Sequence, residues 1–358
     1  MAIIRYDRLR NQQLSAPTLK EPSELLRSMV AIQAQDYYGA KWALGLRCRQ
    51  ASDKKIEQAF NDGHILRLHV MRPTWHFVAA EDIRWLSQLT AYRVNALCRS
   101  YYRKAELDDK ILRRTNKLIA KELRGGRQLT RSELRDAAAR SGLEPGDSTR
   151  FGHILLHAEL SGLICSGARR GGQFTYALLD ERVPQSKILQ RDEALGELVL
   201  RYFSSRGPAT MADFAWWSGL TMLDAKRGIE ITGNQLTKRS DEGKTYWFAN
   251  EASTKRTRRD RVHLLPTFDE YFIAYKDRSA TLHPKLNQKE LESSAVFTAP
   301  MVLDGQLVGG WKRTLSRGSV MIELNPLIKL TRSDSRLFTL VAASYAGFLD
   351  KDFEIKFV

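Results

Sequence analysis

The strongest constraint on this fold is an order of elements that occurs three times: a group of helices followed by two short strands. The strand pairs are predicted at residues 65–70 with 74–78, 163–166 with 173–178, and 236–239 with 245–248. Pro73 stands between the first two strands, where a turn or hairpin edge tolerates a residue without an N–H donor. Short helices closed by a two-stranded hairpin are typical of the winged helix, a helix-turn-helix variant.

Apolar spacing and capping residues indicate the helices. Leu112, Ile119 and Leu123 recur at helical spacing in the second group, and Thr130 with Glu133 forms the Thr-x-x-Glu pattern that begins a helix. In the third group, Gly-Pro-Ala-Thr at 207–210 breaks one helix, and two more are predicted at about 211–218 and 220–229.

A tail richer in strands follows a charged stretch at 254–261, which we interpret as a linker. Asp304-Gly305 is a strong signal for a two-residue hairpin turn, and a final helix is predicted at about 333–349. We therefore predict an α+β protein with three tandem winged-helix units and a C-terminal β-rich domain. The predicted boundaries are 1–106, 107–186, 187–253, and 254–358 for the linker and the last domain.

The charge balance indicates a polyanionic partner. The chain of 358 residues has 57 Lys and Arg against 41 Asp and Glu, a net charge of +16, and a pI near 9.8. Nucleic acid is the first candidate for such a basic protein. Apolar residues make up 43% of the chain, enough for the cores of more than one domain.

No apolar run is long enough to cross a bilayer, and the N-terminus lacks the apolar segment of a secretory signal. Cys48, Cys98 and Cys165 are odd in number, far apart and without CxxC spacing. These features predict a cytoplasmic protein with no disulfide framework and no membrane partner.

Gln33 and Gln35 carry the clearest chemical signal. A helix with Leu25, Leu26 and Met29 on its apolar positions runs out just before them. If the chain becomes extended there, residues i and i+2 share one face. Two neutral amides can hold a water molecule but cannot take its proton, so they suit a reaction whose leaving group is already activated. The alternative is a pair of exposed polar residues closing a helix.

Other signals for chemistry are weak. His153 and His157 lie one helical turn apart, but no third metal ligand stands at a recognisable spacing. The sequence has no Walker loop, no dinucleotide fingerprint and no cluster of carboxylates suited to a metal nuclease. We predict neither a metal nor a cofactor.

Four segments together resemble the AlkZ/YcaQ-like family of bacterial DNA glycosylases. They reach from the N-terminal unit into the tail, in the family's order and spacing. The segments are 31–47 (AIQAQDYYGAKWALGLR), 71–78 (MRPTWHFV), 264–271 (LLPTFDEY) with Lys276-Asp277-Arg278, and Asp304-Gly305 to 310–313 (GWKR).

This resemblance implies a C-shaped, monomeric protein of tandem winged helices that acts on duplex DNA containing alkylated bases. Relatives remove alkylated purines, including bulky adducts and interstrand crosslinks. The family's catalytic signature is Gln-x-Gln or Gln-x-Asp, which Gln33 and Gln35 match in the first form, whereas Asp36 is out of register with it. The implied activity is that of a monofunctional glycosylase, because a lyase would need an amine at the sugar.

Basic and aromatic residues near the predicted hairpins are the candidates for DNA binding. Arg169 and Arg170 stand at the glycine-rich tip of the second hairpin, and His76 either faces the catalytic cleft, by resemblance, or pairs with a carbonyl. The full candidate set is Arg67, Arg72, Trp75, His76, Arg169, Arg170, Lys276, Arg278, Trp311, Lys312 and Arg313. The alternative is solvated charges and core tryptophans, which we predict for Trp216 and Trp217.

Two further interpretations compete with a glycosylase. Winged helices often serve sequence-specific binding, so the chain could be a transcriptional regulator without catalysis. It could also be a tandem winged-helix scaffold that binds DNA or protein.

Overall fold

A computed structural model describes residues 2–249, 261–286 and 299–358 of this α+β protein. The helices are α1 Ala2–Asn11, α2 Pro22–Met29, α3 Tyr37–Arg47, α4 Asp53–Asn61, α5 Ile83–Lys104, α6 Asp109–Leu123, α7 Arg131–Arg140, α8 Ser148–Leu160, α9 Leu179–Arg182, α10 Arg191–Arg206, α11 Met211–Ser218, α12 Met222–Thr232, α13 Glu270–Ile273 and α14 Arg332–Leu349. The strands are β1 Ala31–Gln33, β2 Ile65–Val70, β3 Arg72–Ala79, β4 Leu129–Thr130, β5 Ile164–Ser166, β6 Thr175–Leu178, β7 Thr237–Asp241, β8 Lys244–Phe248, β9 Val262–Leu264, β10 Pro300–Leu303, β11 Gln306–Leu315, β12 Ser319–Pro326 and β13 Asp352–Phe357. Apart from Arg261, the predicted charged linker lies outside the described residues.

The three predicted hairpins are confirmed, and each follows a group of helices. They are β2–β3, β5–β6 and β7–β8, all antiparallel. Two of them gain a third strand, so that the sheet orders are β1-β3-β2 and β4-β6-β5. The second strand of the first hairpin begins at Arg72, with a bulge between His69 and Val70 opposite Pro73. A bulge of this kind accommodates a residue that cannot donate to the ladder.

The first sheet is buried on both faces. Ile32, Ile65 and Phe77 belong to one hydrophobic core, which also contains the C-terminal strands and α14. Ala31, Leu66 and Val78 belong to a second core, formed with α5, α10 and α11. Because side chains alternate between the faces of a strand, the short strand β1 contributes to both cores and is fixed from two directions.

The second helical group has a core of its own, and its helices begin at the expected residues. Leu112, Ile119 and Leu134 pack in this core with residues of α8. Thr130 caps α7 in a reciprocal capping box with Glu133, as the Thr-x-x-Glu pattern predicts. The capping box places the start of α7 immediately after β4.

In the third group, α11 has the predicted bounds, whereas α12 begins two residues later than predicted, because Thr221 caps it with Asp224, and ends three residues later. Trp217 is buried, as expected. The core prediction for Trp216 is wrong: its side chain is 47% exposed, and its indole N–H donates to the Ile273 carbonyl at 3.1 Å.

The C-terminal sheet has the order β13-β12-β11-β10-β9, with β12 and β13 parallel. The predicted turn at Asp304-Gly305 joins β10 to β11, and both residues have positive φ, as the tight hairpin turn requires. Arg261 pairs with Asp304 at 2.8 Å, which ties the start of β9 to this turn.

The C-terminus of α11 lies against the first hairpin. Gly219 caps α11 in the left-handed conformation at φ +71°. A Cβ atom at this position would lie 2.5 Å from the backbone oxygen of Met71, the residue before Arg72. The close approach therefore sets the distance between α11 and the start of β3.

Replacing Gly219 with alanine should destabilise the fold more than the left-handed conformation alone explains. Gly142 is the matched control, since it has φ +73° but a Cβ atom added there would meet no atom within 4 Å. We expect Gly142→Ala to cost about 1 kcal/mol and Gly219→Ala roughly 2 kcal/mol more from the backbone clash. Urea denaturation measures both, and equal losses would contradict the close approach.

Candidate active site

The chain is extended through Gln33, which was the condition for the two amides to share one face, but the strand ends at that residue. Gln33 lies opposite His76 in the antiparallel pairing of β1 with β3, and the next N–H, that of Ala34, donates to the Trp75 carbonyl at 2.7 Å. Gln35 follows in the bend before α3. Gln33 is nearly buried and Gln35 is exposed. The two side chains therefore occupy different depths at the end of one short strand.

Both amide oxygens point to β3. The Gln33 Oε1 accepts from Arg72 Nη2 at 3.0 Å, and the Gln35 Oε1 accepts from the Trp75 N–H at 3.4 Å. Because both partners can only donate, they determine which end of each amide is the oxygen. Each carbonyl oxygen keeps a second lone pair, which can accept a hydrogen bond from water.

A buried ion pair supports the backbone of Gln33. The Gln33 N–H donates to Glu270 Oε1 at 2.9 Å. The other oxygen of Glu270 accepts from Arg206 Nε and Nη2 at 3.0 and 2.8 Å and from the Trp217 indole at 2.8 Å. Arg206 and Glu270 are both fully buried. Charges so deeply buried are tolerated only when they are paired and hydrogen-bonded.

Arg206 also holds the turn that leads into β1. Its guanidinium donates to the carbonyls of Met29 at 2.8 Å and Ala31 at 2.7 Å. These carbonyls flank Val30, which has φ +65°. A β-branched residue rarely adopts positive φ, so the surrounding contacts must hold this strained conformation. Sequence reasoning missed Arg206 and Glu270, although Glu270 lies within the family-like segment 264–271.

The structure places Arg72 in a partly buried position beside Gln33 rather than on an exposed DNA-binding surface. Burial, mainly, lowers its pKa, and its Nε has no hydrogen-bond partner among the described residues. Arg72 remains charged because an arginine does not lose its proton in proteins. Its contact with the Gln33 oxygen places it beside the candidate catalytic amides.

His76 does not reach the surface. Its side chain is fully buried, and Nδ1 lies 2.9 Å from the Thr74 carbonyl. The expectation that it contacts DNA is therefore wrong, and the alternative pairing with a carbonyl is what the structure shows. Because that carbonyl only accepts, Nδ1 carries the proton and Nε2 does not.

Trp75 is held between two side chains of β2. Its ring lies 4.5 Å from that of His69 and 4.6 Å from the Arg67 guanidinium. His69 in turn contacts the buried Glu159 at 2.5 Å. Arg67 donates to the Ala34 carbonyl at 2.9 Å, and burial lowers its pKa to about 10. Trp75 and Arg67 thus lie beside the Gln-x-Gln segment with little freedom to move.

At the second hairpin, Arg169 and Arg170 differ. The Arg169 side chain is only 7% exposed and lies over the rings of Tyr37 and Phe174 at 4.9 and 4.8 Å, so the expectation of a free tip residue is wrong for it. Arg170 is exposed but pairs with Glu133 at 2.7 Å. The attraction between cation and ring explains why Arg169 packs inward.

The candidates for DNA binding in the C-terminal domain also differ from one another in exposure. Trp311 is 3% exposed, and its indole donates to the Leu265 carbonyl at 2.7 Å, so it is a core residue and the expectation of base contact is wrong. Arg313 pairs with Asp36 at 3.1 Å, and Asp36 caps α3 through the Gly39 N–H. Lys312 is exposed.

Lys276 and Arg278 flank a carboxylate that pairs elsewhere. Asp277 contacts Lys244 of β8 at 2.5 Å, which joins the third hairpin to the segment after α13. Lys276 is exposed, and Arg278 donates to the Phe272 carbonyl at 3.1 Å. Of this pair, only Lys276 is exposed, as a contact with DNA requires.

Helix α6 carries a basic surface, the α6 stripe, that was not predicted from the sequence. The cations occupy an arc of about 100° on the helix, opposite the buried positions Leu112, Thr115, Ile119 and Leu123. They are Lys110, Arg113, Arg114, Lys117, Lys121 and the C-terminal capping residue Arg124, and all are exposed. None forms an ion pair with any residue that the structure describes. The helical spacing could have revealed this stripe, because its apolar complement was already recognised.

His153 and His157 pack against rings. His153 stacks on Tyr101 at 5.5 Å, and His157 meets the edge of Tyr102 at 6.1 Å. Within the described ranges, no group of three or more His, Cys, Asp or Glu side chains is placed to hold a metal ion. No helix in these ranges is long and apolar enough to span a membrane. Cys48, Cys98 and Cys165 are buried free thiols.

The fold is shared along the whole chain with a solved structure. The Streptomyces sahachiroi DNA glycosylase AlkZ superposes with a TM-score of 0.80 at 22% identity, covering 100% of this chain and 99% of that one. A curated Streptomyces sahachiroi protein, "Interstrand DNA cross-link repair glycosylase", is 23% identical over 318 residues, 85% of each chain. The family of AlkZ-like DNA glycosylases matches residues 26–348, and this chain belongs to it.

His76 should make the stability pH-dependent. Burial, and secondarily Arg72, lowers its pKa well below 6.5 in the folded protein. The unfolded chain therefore binds more protons below about pH 6.5, and stability falls as the pH decreases. Relative to His76→Phe, we expect the wild type to lose up to about 1.4 kcal/mol per pH unit below that value.

Urea denaturation from about pH 5 to about pH 8 measures this difference. His153 and His157 are present in both proteins, so their contributions cancel. Parallel pH profiles for the wild type and His76→Phe would contradict the assignment.

Proposed function

We propose that this protein is a DNA-repair glycosylase that hydrolyses the N-glycosidic bond of cationic alkylated purines, with Gln33 and Gln35 orienting the attacking water. The observation that carries this proposal is the convergence of both amide oxygens on β3, at 3.0 Å from Arg72 Nη2 and 3.4 Å from the Trp75 N–H. The carboxylate that contacts this segment, Glu270, has both oxygens occupied by protein donors. Asp36, the carboxylate next to Gln35, is likewise occupied by the Gly39 N–H and by Arg313. Among the described residues, neither carboxylate is therefore left free to act as a strong base.

Such a site suits a base that is already primed to leave. Alkylation at N7 of guanine gives the base a positive charge, and breaking the C1′–N9 bond returns the electron pair that neutralises it. The sugar becomes oxocarbenium-like, a water oxygen bonds to C1′, and the released proton passes to solvent. Preorganised dipoles that stabilise this developing charge can contribute about a hundredfold or more in rate.

Hydrolysis by water, rather than by a lysine amine, fits the state of Lys41 in the adjacent helix. Its ammonium is buried and contacts Asp53 at 2.8 Å and Glu57 at 2.7 Å. A lysine acting through a Schiff base needs a neutral, accessible amine. The Lys41 nitrogen is buried and held by two carboxylates, so it is not accessible to a sugar, and this supports a monofunctional enzyme.

We propose that residues 1–106, 107–186 and 187–253 form three winged-helix units in a C shape, followed by the β-rich domain. The order of capped helices and hairpins supports this division. The solved AlkZ relative and the curated crosslink-repair relative support duplex DNA as the substrate, with bulky adducts or interstrand crosslinks as candidate lesions. Buried free thiols fit a cytoplasmic enzyme, and we propose that it acts as a monomer.

Sequence-specific regulation is the weaker candidate. In a winged helix, the last helix before the wing reads bases in the major groove. In the second unit that helix is α8, whose positions are mostly buried. In the third unit it is α12, where Arg227 pairs with Asp192 at 2.8 Å. Neither arrangement favours direct recognition of a base sequence in the major groove.

Substitution of both glutamines should slow excision strongly without preventing DNA binding. The substrate is duplex DNA with a single N7-methylguanine, and a second duplex carries a nitrogen-mustard crosslink. We expect Gln33→Ala/Gln35→Ala to lower the single-turnover rate by at least about a hundredfold, scored as abasic sites. Binding to the same duplex should persist, because phosphate contacts lie elsewhere.

Full activity of the double variant would end the catalytic assignment. Preference for one DNA sequence without abasic sites would favour the regulator.

The α6 stripe should supply phosphate contacts. Lys110 to Lys121 spans about 17 Å, or about five base pairs of duplex. Neutralising Lys110, Arg114, Lys117 and Lys121 to glutamine should reduce the slope of log K against log salt by about 0.9 per contact, up to about 3.6. Fluorescence anisotropy on undamaged duplex measures the slope.

A control variant with the same charge change neutralises cations that are already paired. Lys54 contacts Asp350, Lys55 contacts Glu21, Arg191 contacts Asp224 and Arg227 contacts Asp192. Equal slope changes in both variants would show that net charge, and not the stripe, governs binding.

A further inference from the structure

We infer that Glu270 is a positioning residue for Gln33, acting with Arg206 to fix the strand that carries the proposed catalytic amides. This inference rests on the proposed function. Glu270 lies 237 residues from Gln33 in the chain, yet its Oε1 accepts the Gln33 N–H at 2.9 Å. No other described residue accepts from that N–H. In addition to the pairing of β1 with β3, one carboxylate oxygen therefore holds the Gln33 backbone.

The second oxygen of Glu270 fixes the carboxylate itself. It accepts from two nitrogens of Arg206 and from the Trp217 indole, at 2.8 to 3.0 Å. Trp217 belongs to the third helical group, and Glu270 begins α13. Charge-assisted hydrogen bonds in a fully buried environment are strong and directional. Through this carboxylate, hydrogen bonds from α10 and α11 fix the position of β1.

Arg206 completes the arrangement from the other side of the turn. Its donors to Met29 and Ala31 bracket the strained Val30. Without them the turn would relax toward a conformation with negative φ, and β1 would shift. Arg72, which follows the positive-φ residue Met71, holds the side chain of Gln33 as the ion pair holds its backbone. Both parts of Gln33 are therefore set before any substrate binds.

The chain contains a matched control next to Glu270. Asp269 pairs with the fully buried Arg47 through both carboxylate oxygens, at 2.7 and 2.8 Å. Arg47 donates further to Gln12 and to the Ala43 carbonyl. None of these contacts involves β1. Conversion of either acid to its amide leaves a buried arginine without its counter-charge, but only Glu270 contacts Gln33.

The test compares Glu270→Gln with Asp269→Asn. All the groups around Glu270 are donors, so an amide nitrogen at that position must face one of them and the Gln33 backbone loses a reliable acceptor. We expect a fall of about a hundredfold in the single-turnover excision rate for Glu270→Gln, from misplacement alone. Its Kd for undamaged duplex should stay within about twofold, because the phosphate contacts are unchanged. Asp269→Asn should keep the wild-type rate.

Hydrogen exchange of the Gln33 amide provides a readout that does not depend on catalysis. The exchange should become faster in Glu270→Gln and not in Asp269→Asn. All measurements are made below the thermal midpoints of both variants, with the folded fraction checked by near-ultraviolet circular dichroism. If Glu270→Gln does not fold, Trp217→Phe removes one donor to the same oxygen, and both effects are expected at smaller size.

Equal rates in the two variants, or unchanged exchange at Gln33, would overturn the positioning role. The failure of the proposed function looks different: the wild type would then release no base from any alkylated duplex, while the exchange experiment would still decide whether Glu270 fixes β1.

Discussion

The structure depends on a small sheet that packs against a hydrophobic core on each of its faces. In β1-β3-β2, one face packs with the C-terminal strands and α14, and the other packs with α5, α10 and α11. Two cores that meet at one sheet leave its strands little freedom, because neither face can relax without opening a cavity. The Gln-x-Gln segment lies at the end of this sheet, so its backbone is restrained by the same packing.

Buried charges determine the conformation of the same region. Arg206–Glu270 and Arg47–Asp269 are both fully buried, and each arginine also donates to backbone carbonyls. An apolar replacement of such pairs could stabilise the fold as well or better. Apolar side chains cannot supply directed hydrogen bonds. The backbone that leads into β1 needs such bonds because it passes through Val30, which has φ +65°. The pairs therefore fix backbone geometry that apolar side chains would leave without hydrogen-bond partners.

The order of elements could be predicted from local signals. The Thr130 capping box, the Asp304-Gly305 turn and the bounds of α11 each depend on a few neighbouring residues. The third strand of the first sheet could not be predicted, because β1 has only three residues and pairs with a strand more than forty residues away. Burial could not be predicted from the sequence either. His76, Arg169 and Trp311 carry polar atoms, but tertiary packing turns their side chains inward. The α6 stripe was visible as helical spacing and needed only the comparison of its two faces.

The turn at Val30 also bears on how such a protein can change over time. Its two flanking carbonyls are held by a residue of α10, and the strand after it by a residue of α13. Copying the N-terminal unit alone would therefore reproduce the glutamines without the geometry that orients them. In a chain built this way, the proposed site cannot be passed on by shuffling a single module into another gene.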